Sequence, residues 1–211
     1  MAPAGGESDV CPTKAGRNEE QKHMTIGVIA DTHGFFDPRL KEILGGVEAI
    51  LHAGDVGSQE VLEELRKIAP VHAVRGNLDP SSLDLPPALS LQFDSVHVHV
   101  LHQLVVPQSE LQKWSDGALL AKLHPERLDA YLKKFGEGTH VVVFGHSHKP
   151  FLLSLGHRLF LNPGSAGPQR FSLPRSCGLL EVFPRGVRGS VVSLERYNEQ
   201  LPGRIWLPVG G

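Results

Sequence analysis

The chain has 211 residues, of which 40% are hydrophobic and 21% charged, with a formal net charge of −2; this fits one globular domain with a sizeable core and gives no basic field for tracking a phosphate backbone, so nucleic acid is disfavoured as a partner. No run of about 18 apolar residues occurs, so no membrane span is expected. The two cysteines, Cys11 and Cys177, are too few for a disulfide framework and fit a reducing, cytoplasmic setting.

Residues 1–23 mix acids and bases without an apolar stretch, which argues against a signal or transit peptide and reads as a disordered N-terminal tail. Met24 stands directly before the first strand pattern and is an alternative initiator. Thr25 to Ala30 is a β-branched apolar run that reads as a buried strand, and Asp31-Thr32-His33 follows it. Asp37-Pro38 resembles an N-cap with proline in the first turn of a helix that Gly45-Gly46 stops. A strand at Ala49 to Ala53 leads to Gly54-Asp55. After it come a helix from Ser58 to about Lys67 and a strand from Val71 to Arg75 that ends in Gly76-Asn77, which completes a βαβαβ order.

Leu89 to Phe93 and Val96 to Leu101 flank a two-residue connection and read as a hairpin, so the sheet becomes mixed. Residues 103–117 read as a polar loop, and Pro125 to Phe135 as a helix closed by Gly136. A strand at His140 to Phe144 precedes Gly145-His146-Ser147-His148. Phe151 to Leu155 and His157 to Leu161 form a second hairpin, and Cys177 to Phe183 with Gly189 to Tyr197 supply the last strands. The domain is thus expected over 24–198, with 199–211 as a C-terminal tail.

Each chemistry-bearing segment falls just after a strand, and in α/β sheets the carboxyl ends of strands converge on one edge where ligands bind. A pair of divalent cations needs carboxylate and amide oxygens, imidazoles and a carboxylate common to both. Taken singly, Asp31 or Asp55 is an ordinary cap or turn residue. The paired imidazoles of His146 and His148, in a loop after a valine-rich strand, are harder to explain as core. Occurring together in this order, the segments point to a metal site.

The series Asp31-Thr-His33, Gly54-Asp55, Gly76-Asn77, His102 and Gly145-His-Ser-His148 resembles the calcineurin-like metallophosphoesterase superfamily, and Gly76-Asn77-Leu78-Asp79 resembles its small bacterial phosphodiesterases. The Asn162-Pro-Gly-Ser165 turn recurs there too, and the likeness runs from about Thr25 to Tyr197. The resemblance implies an α/β fold of two packed mixed β-sheets flanked by helices. It implies one metal held by Asp31, His33, Asp55 and His148 and a second by Asp55, Asn77, His102 and His146, with Asp55 as the bridge. Asp55, Asn77, His102 and His146 would carry the catalytic role. His102 aligns with either the first or the second histidine of the family's His-Gly-His pattern, and the first, which is the ligand, is preferred.

The expected activity is that of a metal-dependent phosphoric ester hydrolase: a phosphodiesterase, with phosphomonoesters as a second class, working by attack of a metal-bound hydroxide. Two manganese ions suit the donors best, although nickel, iron or zinc would fit the same set. The expected partner is a small phosphate ester, and a homo-oligomer is left open. The alternative is a non-catalytic protein-interaction scaffold of the same fold, like the retromer subunit; the full ligand set favours the enzyme. Leu78 stands where many relatives place a histidine that protonates the leaving oxygen, and Asp79 is the one nearby residue that would replace it.

Overall fold

The computed structural model describes residues 23–115, 125–170, 172–195 and 201–209; apart from His23, the expected N-terminal tail lies outside them. The run of β-branched residues at the start makes β1 (Met24–Ile29), which pairs in parallel with β2 (Ala49–His52), itself parallel to β3 (Val71–Ala73). On its other side β1 pairs antiparallel with β9 (Ser176–Phe183), followed by β10 (Gly186–Ser193) and β11 (Ile205–Pro208). The second sheet contains β4 (Ala88–Phe93), β5 (Val96–Leu101), β6 (Val141–Val143), β8 (Arg158–Asn162) and β7 (Phe151–Leu155), in that spatial order. In it β5, β6 and β8 run parallel while the outer hairpin partners run antiparallel.

The two-residue period of the strands divides their side chains between three apolar layers. Ile26, Val28 and Leu51 from one sheet meet Val98, Val100, Val141, Val143 and Leu161 from the other, forming the core between the sheets. Outside the first sheet, Ile29 and Ile50 pack under α1 (Leu40–Ile43) and α2 (Gln59–Arg66), through Leu40, Leu44, Val61, Leu62 and Leu65. Outside the second, Val142, Phe144 and Phe160 are covered by α3 (Gln108–Ser115) and α4 (Pro125–Lys133), through Leu111, Tyr131 and Leu132. The fold is therefore the expected pair of mixed sheets flanked by helices.

Two expectations are corrected. The segment read as a polar loop contains α3, in which Leu111 is fully buried. The segment read as a C-terminal tail supplies an edge strand: Val187 pairs with Leu207 and Gly189 with Ile205, and Leu207 and Val209 are buried. The end of α4 is held by a buried arginine. Arg158 Nε donates to the Thr139 carbonyl at 2.9 Å and Nη2 to that of Gly136 at 2.7 Å, and Nη1 donates to the Leu132 carbonyl.

Candidate metal centre

Five strand ends deliver the seven expected side chains to one edge of the sandwich. The loop after β1 carries Asp31 and His33, that after β2 carries Asp55, and that after β3 carries Asn77; β5 delivers His102, and β6 delivers His146 and His148. Asp31, His33, Asp55, His146 and His148 all have positive φ, between 49° and 70°, and among the described residues only Asp84 and Asp94 join them outside glycine. A left-handed backbone costs a non-glycine residue of order 1 kcal/mol or more, and such strain gathers where surrounding structure over-determines a functional loop. Two glycines permit the close approach. A Cβ on Gly76 would overlap the backbone nitrogen and Oδ1 of Asp55, and one on Gly54, whose φ is +88°, would come within 2.6 Å of His102 Nδ1.

The ligand atoms face one another in two overlapping groups. In the first, His33 Nε2 lies 3.1 Å from His148 Nε2, and His148 Nε2 lies 3.5 Å from Asp31 Oδ1. In the second, His102 Nε2 lies 3.0 Å from Asn77 Oδ1 and 3.5 Å from Asp55 Oδ2, while His146 Nδ1 lies 3.0 Å from the same Asn77 oxygen. The carboxylates join the groups: Asp31 lies close to His33 and His148 and also to Asp55 and His102, and Asp55 Oδ2 is 4.0 Å from His33 Nε2. All seven expected side chains are thus brought together. Asp31, Asp55 and His102 are buried.

The loops are held by hydrogen bonds that leave these faces clear. His102 Nδ1 donates to the Ala53 carbonyl at 2.7 Å, which directs Nε2 into the site. The Leu78 N–H donates to Asp55 Oδ1 at 2.8 Å, and the His146 N–H donates to the Asp31 carboxylate at 3.1 Å. Asp79 accepts from the Gly57 and Gly76 N–H groups at 2.7 and 2.8 Å, so both its oxygens clamp the second and third loops together. Asn162 Nδ2 donates to the Gly145 carbonyl at 2.9 Å, and Ser165 Oγ donates to the Asp31 carbonyl at 2.9 Å; the Asn-Pro-Gly-Ser turn therefore backs two ligand loops.

Burial pushes the Asp31 carboxyl up to about 7, the Asp55 charge adding to the effect and His102 opposing it. Asp55 goes the other way: burial opposes its ionisation, but the bonds from His102 and the Leu78 N–H outweigh that and bring it to about 2. Burial, aided by His33 and Arg170, lowers His148 to about 4, and burial followed by Arg170 also lowers His33. His102 moves up, because its bonds to Asp55 and Ala53 overcome its burial.

This donor set fits divalent cations. Neutral His33 and His148 set two Nε2 atoms against each other with one proton at most between them, and His148 Nδ1 is buried with no hydrogen-bond partner. His102 Nε2 faces two oxygens that only accept once the Asn77 amide is oriented by its carbonyl; a proton on Nε2, or a cation in its place, answers them. Neighbouring ligands at about 2.1 Å from an octahedral ion stand about 3.0 Å apart, and the nitrogen and oxygen spacings here of 3.0 to 3.5 Å match that.

Sequence reasoning missed Thr32. Its Oγ pairs with His52 Nε2 at 2.8 Å and donates to the Val56 carbonyl at 3.0 Å, joining the first two ligand loops beneath the site. A polar residue between two ligand candidates was the available signal. His52 is fully buried, and burial brings its pKa to about 4.

Known proteins resemble this chain in sequence and in fold. Residues 24–183 match the calcineurin-like phosphoesterase superfamily domain. The chain is 35% identical over 159 residues to a probable metallophosphoesterase of Methanothermobacter thermautotrophicus, covering 72% of this chain and 82% of the relative. Among solved structures, Vps29 of Chaetomium thermophilum superposes with a TM-score of 0.66 at 22% identity, covering 89% of this chain and all of that one. A predicted phosphoesterase of Streptococcus pneumoniae superposes with a TM-score of 0.61 at 22% identity, over 88% of this chain and 98% of that one. At these identities the structures show likeness of fold, whereas the match over 24–183 covers most of the chain: it belongs to the calcineurin-like phosphoesterase superfamily.

Proposed function

We propose that the protein is a dinuclear metal-dependent phosphodiesterase acting on a small phosphate ester, with manganese as its working metal. The observation that carries this is the convergence of three oxygen donors and four imidazoles, with Asp31 and Asp55 both facing the two halves of the set. Asp31, His33, Asp55 and His148 would hold one ion, and Asp55, Asn77, His102 and His146 the other. When bound, two such cations supply Lewis acidity toward a phosphoryl oxygen and an activated water as nucleophile.

The protein's own residues set the conditions for that chemistry. Asp55, ionised through its bonds from His102 and Leu78, offers negative charge to both positions. His33 and His148, kept neutral by burial, can each offer an Nε2 lone pair once the ring proton sits on Nδ1. The amide oxygen of Asn77 lies within 3.0 Å of both His102 Nε2 and His146 Nδ1, so one side chain orders two imidazoles. Leu78 is 59% exposed and cannot donate a proton, and both Asp79 oxygens accept backbone N–H groups, so neither protonates a leaving group. The rate should then depend on how well the alcohol leaves unaided.

The test is to strip the protein with a chelator, restore Mn2+ and follow hydrolysis of bis(p-nitrophenyl) phosphate. Turnover should vanish with the metal and return with it. A protein that binds Mn2+, Ni2+, Fe2+ and Zn2+ yet hydrolyses neither this diester nor p-nitrophenyl phosphate with any of them would support the non-catalytic scaffold instead.

A further inference from the structure

Beside His146 a cavity of about 730 Å³ opens between the segment after β5, the start of α3 and the loop after β6. That volume is in the range of small-molecule sites, roughly 300 to 1,000 Å³. Its floor is apolar and fixed: Leu104, Phe144 and Phe151 line it and are themselves buried. At its rim Val105 is 77% exposed, an apolar side chain left in water beside the candidate centre. Gly145, His146 and Ser147 belong to both the cavity and the metal loop, so a phosphate at the centre places a substituent at the cavity mouth.

The lining also limits which substituent. Among the described residues it contains no acidic side chain, and Lys149 is its one full-time cation, which disfavours a positively charged arm and suits a substrate that is anionic overall. Gln103 brings an amide group to the exposed part of the wall, which can pair with ring heteroatoms but gives nothing to an alkyl chain. The wall is tied to the centre. Gln108 Oε1 accepts from Ser147 Oγ at 3.0 Å, and Asn162 Nδ2 donates to the same hydroxyl oxygen at 3.1 Å while also bonding the Gly145 carbonyl, so α3 and the His146 loop share one polar bracket.

We infer that this cavity receives an uncharged aromatic or heteroaromatic arm of the phosphodiester whose phosphate lies at the metal centre; the inference rests on the phosphodiesterase proposal above. It is tested by calorimetric titration of the Mn2+-loaded protein with methylphosphonate, benzylphosphonate and n-hexylphosphonate, whose C–P bonds are not hydrolysed. Benzylphosphonate should bind at least about tenfold tighter than methylphosphonate, as burial of a phenyl ring against an apolar floor requires, and tighter than n-hexylphosphonate. Val105→Asp, which puts an anion at the mouth, and Ser109→Trp, which fills the cavity from α3, are exposed substitutions; each should bring the benzyl-to-methyl ratio to within about twofold. Equal binding of methyl and benzyl compounds in the wild type, or a benzyl preference that survives both variants, would overturn the assignment. Hexyl binding as tight as benzyl would overturn its aromatic character. If none of the phosphonates binds the metal-loaded protein, the phosphodiesterase proposal falls with it, whereas methylphosphonate binding without a benzyl preference removes the pocket alone.

Discussion

Replacing Asp31 by asparagine should make the metal-free protein more stable at neutral pH. Asp31 is completely buried, and its carboxyl is raised from the ordinary 3.8 to about 7, chiefly by that burial. Between those values the folded chain keeps a proton that the unfolded chain has released, so stability falls as pH rises; the penalty is absent below about pH 4 and complete above about pH 7. Each tenfold change in acidity is about 1.4 kcal/mol, so the full effect is roughly 4 kcal/mol. Asparagine keeps an oxygen for the His146 N–H and carries no charge. His52 and His148, both lowered to about 4, act in the opposite sense, stabilising above their ordinary value and less so as pH falls toward 4, but they remain in both proteins. Urea denaturation in excess chelator at pH 4, 6 and 8 should therefore show wild type and variant alike at pH 4 and the variant ahead at pH 8. Free Mn2+ at about 100 times its dissociation constant adds about 2.7 kcal/mol to a protein that binds it, so the gap should narrow for the wild type when metal is supplied. An Asp31→Asn protein that is no more stable than wild type at pH 8 without metal would refute the claim that Asp31 is held in the fold at an electrostatic cost.

Three further outcomes are expected. His102→Ala removes one imidazole and the bond to the Ala53 carbonyl, so titration with Mn2+ should show one site weakened far more than the other; two sites of wild-type affinity would favour the alignment in which His102 is no ligand. Arg158→Ala strands the carbonyls of Thr139, Gly136 and Leu132, and should cost roughly 2 to 4 kcal/mol in denaturation while leaving metal stoichiometry intact; a loss below 0.5 kcal/mol on the order-of-magnitude scale for one hydrogen bond would show that water replaces the guanidinium. With Leu78 unable to protonate and Asp79 committed to two backbone donors, the rate should fall steeply from aryl to alkyl phosphodiesters, and Asp79→Asn should leave that slope unchanged. A shallow wild-type slope that Asp79→Asn steepens would make Asp79 the acid after all.

The parts of the fold that sequence made legible are those where local pattern and burial agree. The run from Thr25 to Ala30 and the valines at 141–143 sit between layers on both faces, so continuous apolar β-branched sequence pointed correctly to strands. The convergence of the candidate residues was legible for a related reason: the residue types are rare together, and each segment that carries them follows a strand. Helix α3 was hidden because most of its eight residues are polar, so its sequence shows no broad apolar face; Pro107 just before it was the available sign. Strand β11 was hidden because an edge strand gains its register from β10, while Pro202-Gly203 before it and Pro208 at its end read as breakers. Arg158 gave no signal at all, since its partners are backbone carbonyls 19 to 26 residues away. Neither could the positive φ of five candidate ligands be read from residue type, because three of them are histidines, whose conformation is imposed by packing around glycines such as Gly54 and Gly76.

The dinuclear centre itself is tested most directly by counting metal. Elemental analysis of chelator-stripped protein reconstituted with Mn2+ and freed of excess ion should give two equivalents per chain in the wild type. It should give fewer than two in Asp55→Asn, because that carboxylate, 3.5 Å from His102 Nε2 and 4.0 Å from His33 Nε2, faces both positions. Diester hydrolysis should disappear in the same variant. A wild-type chain that retains one equivalent or none, or an Asp55→Asn chain that retains two with full turnover, would contradict a metal pair bridged by Asp55.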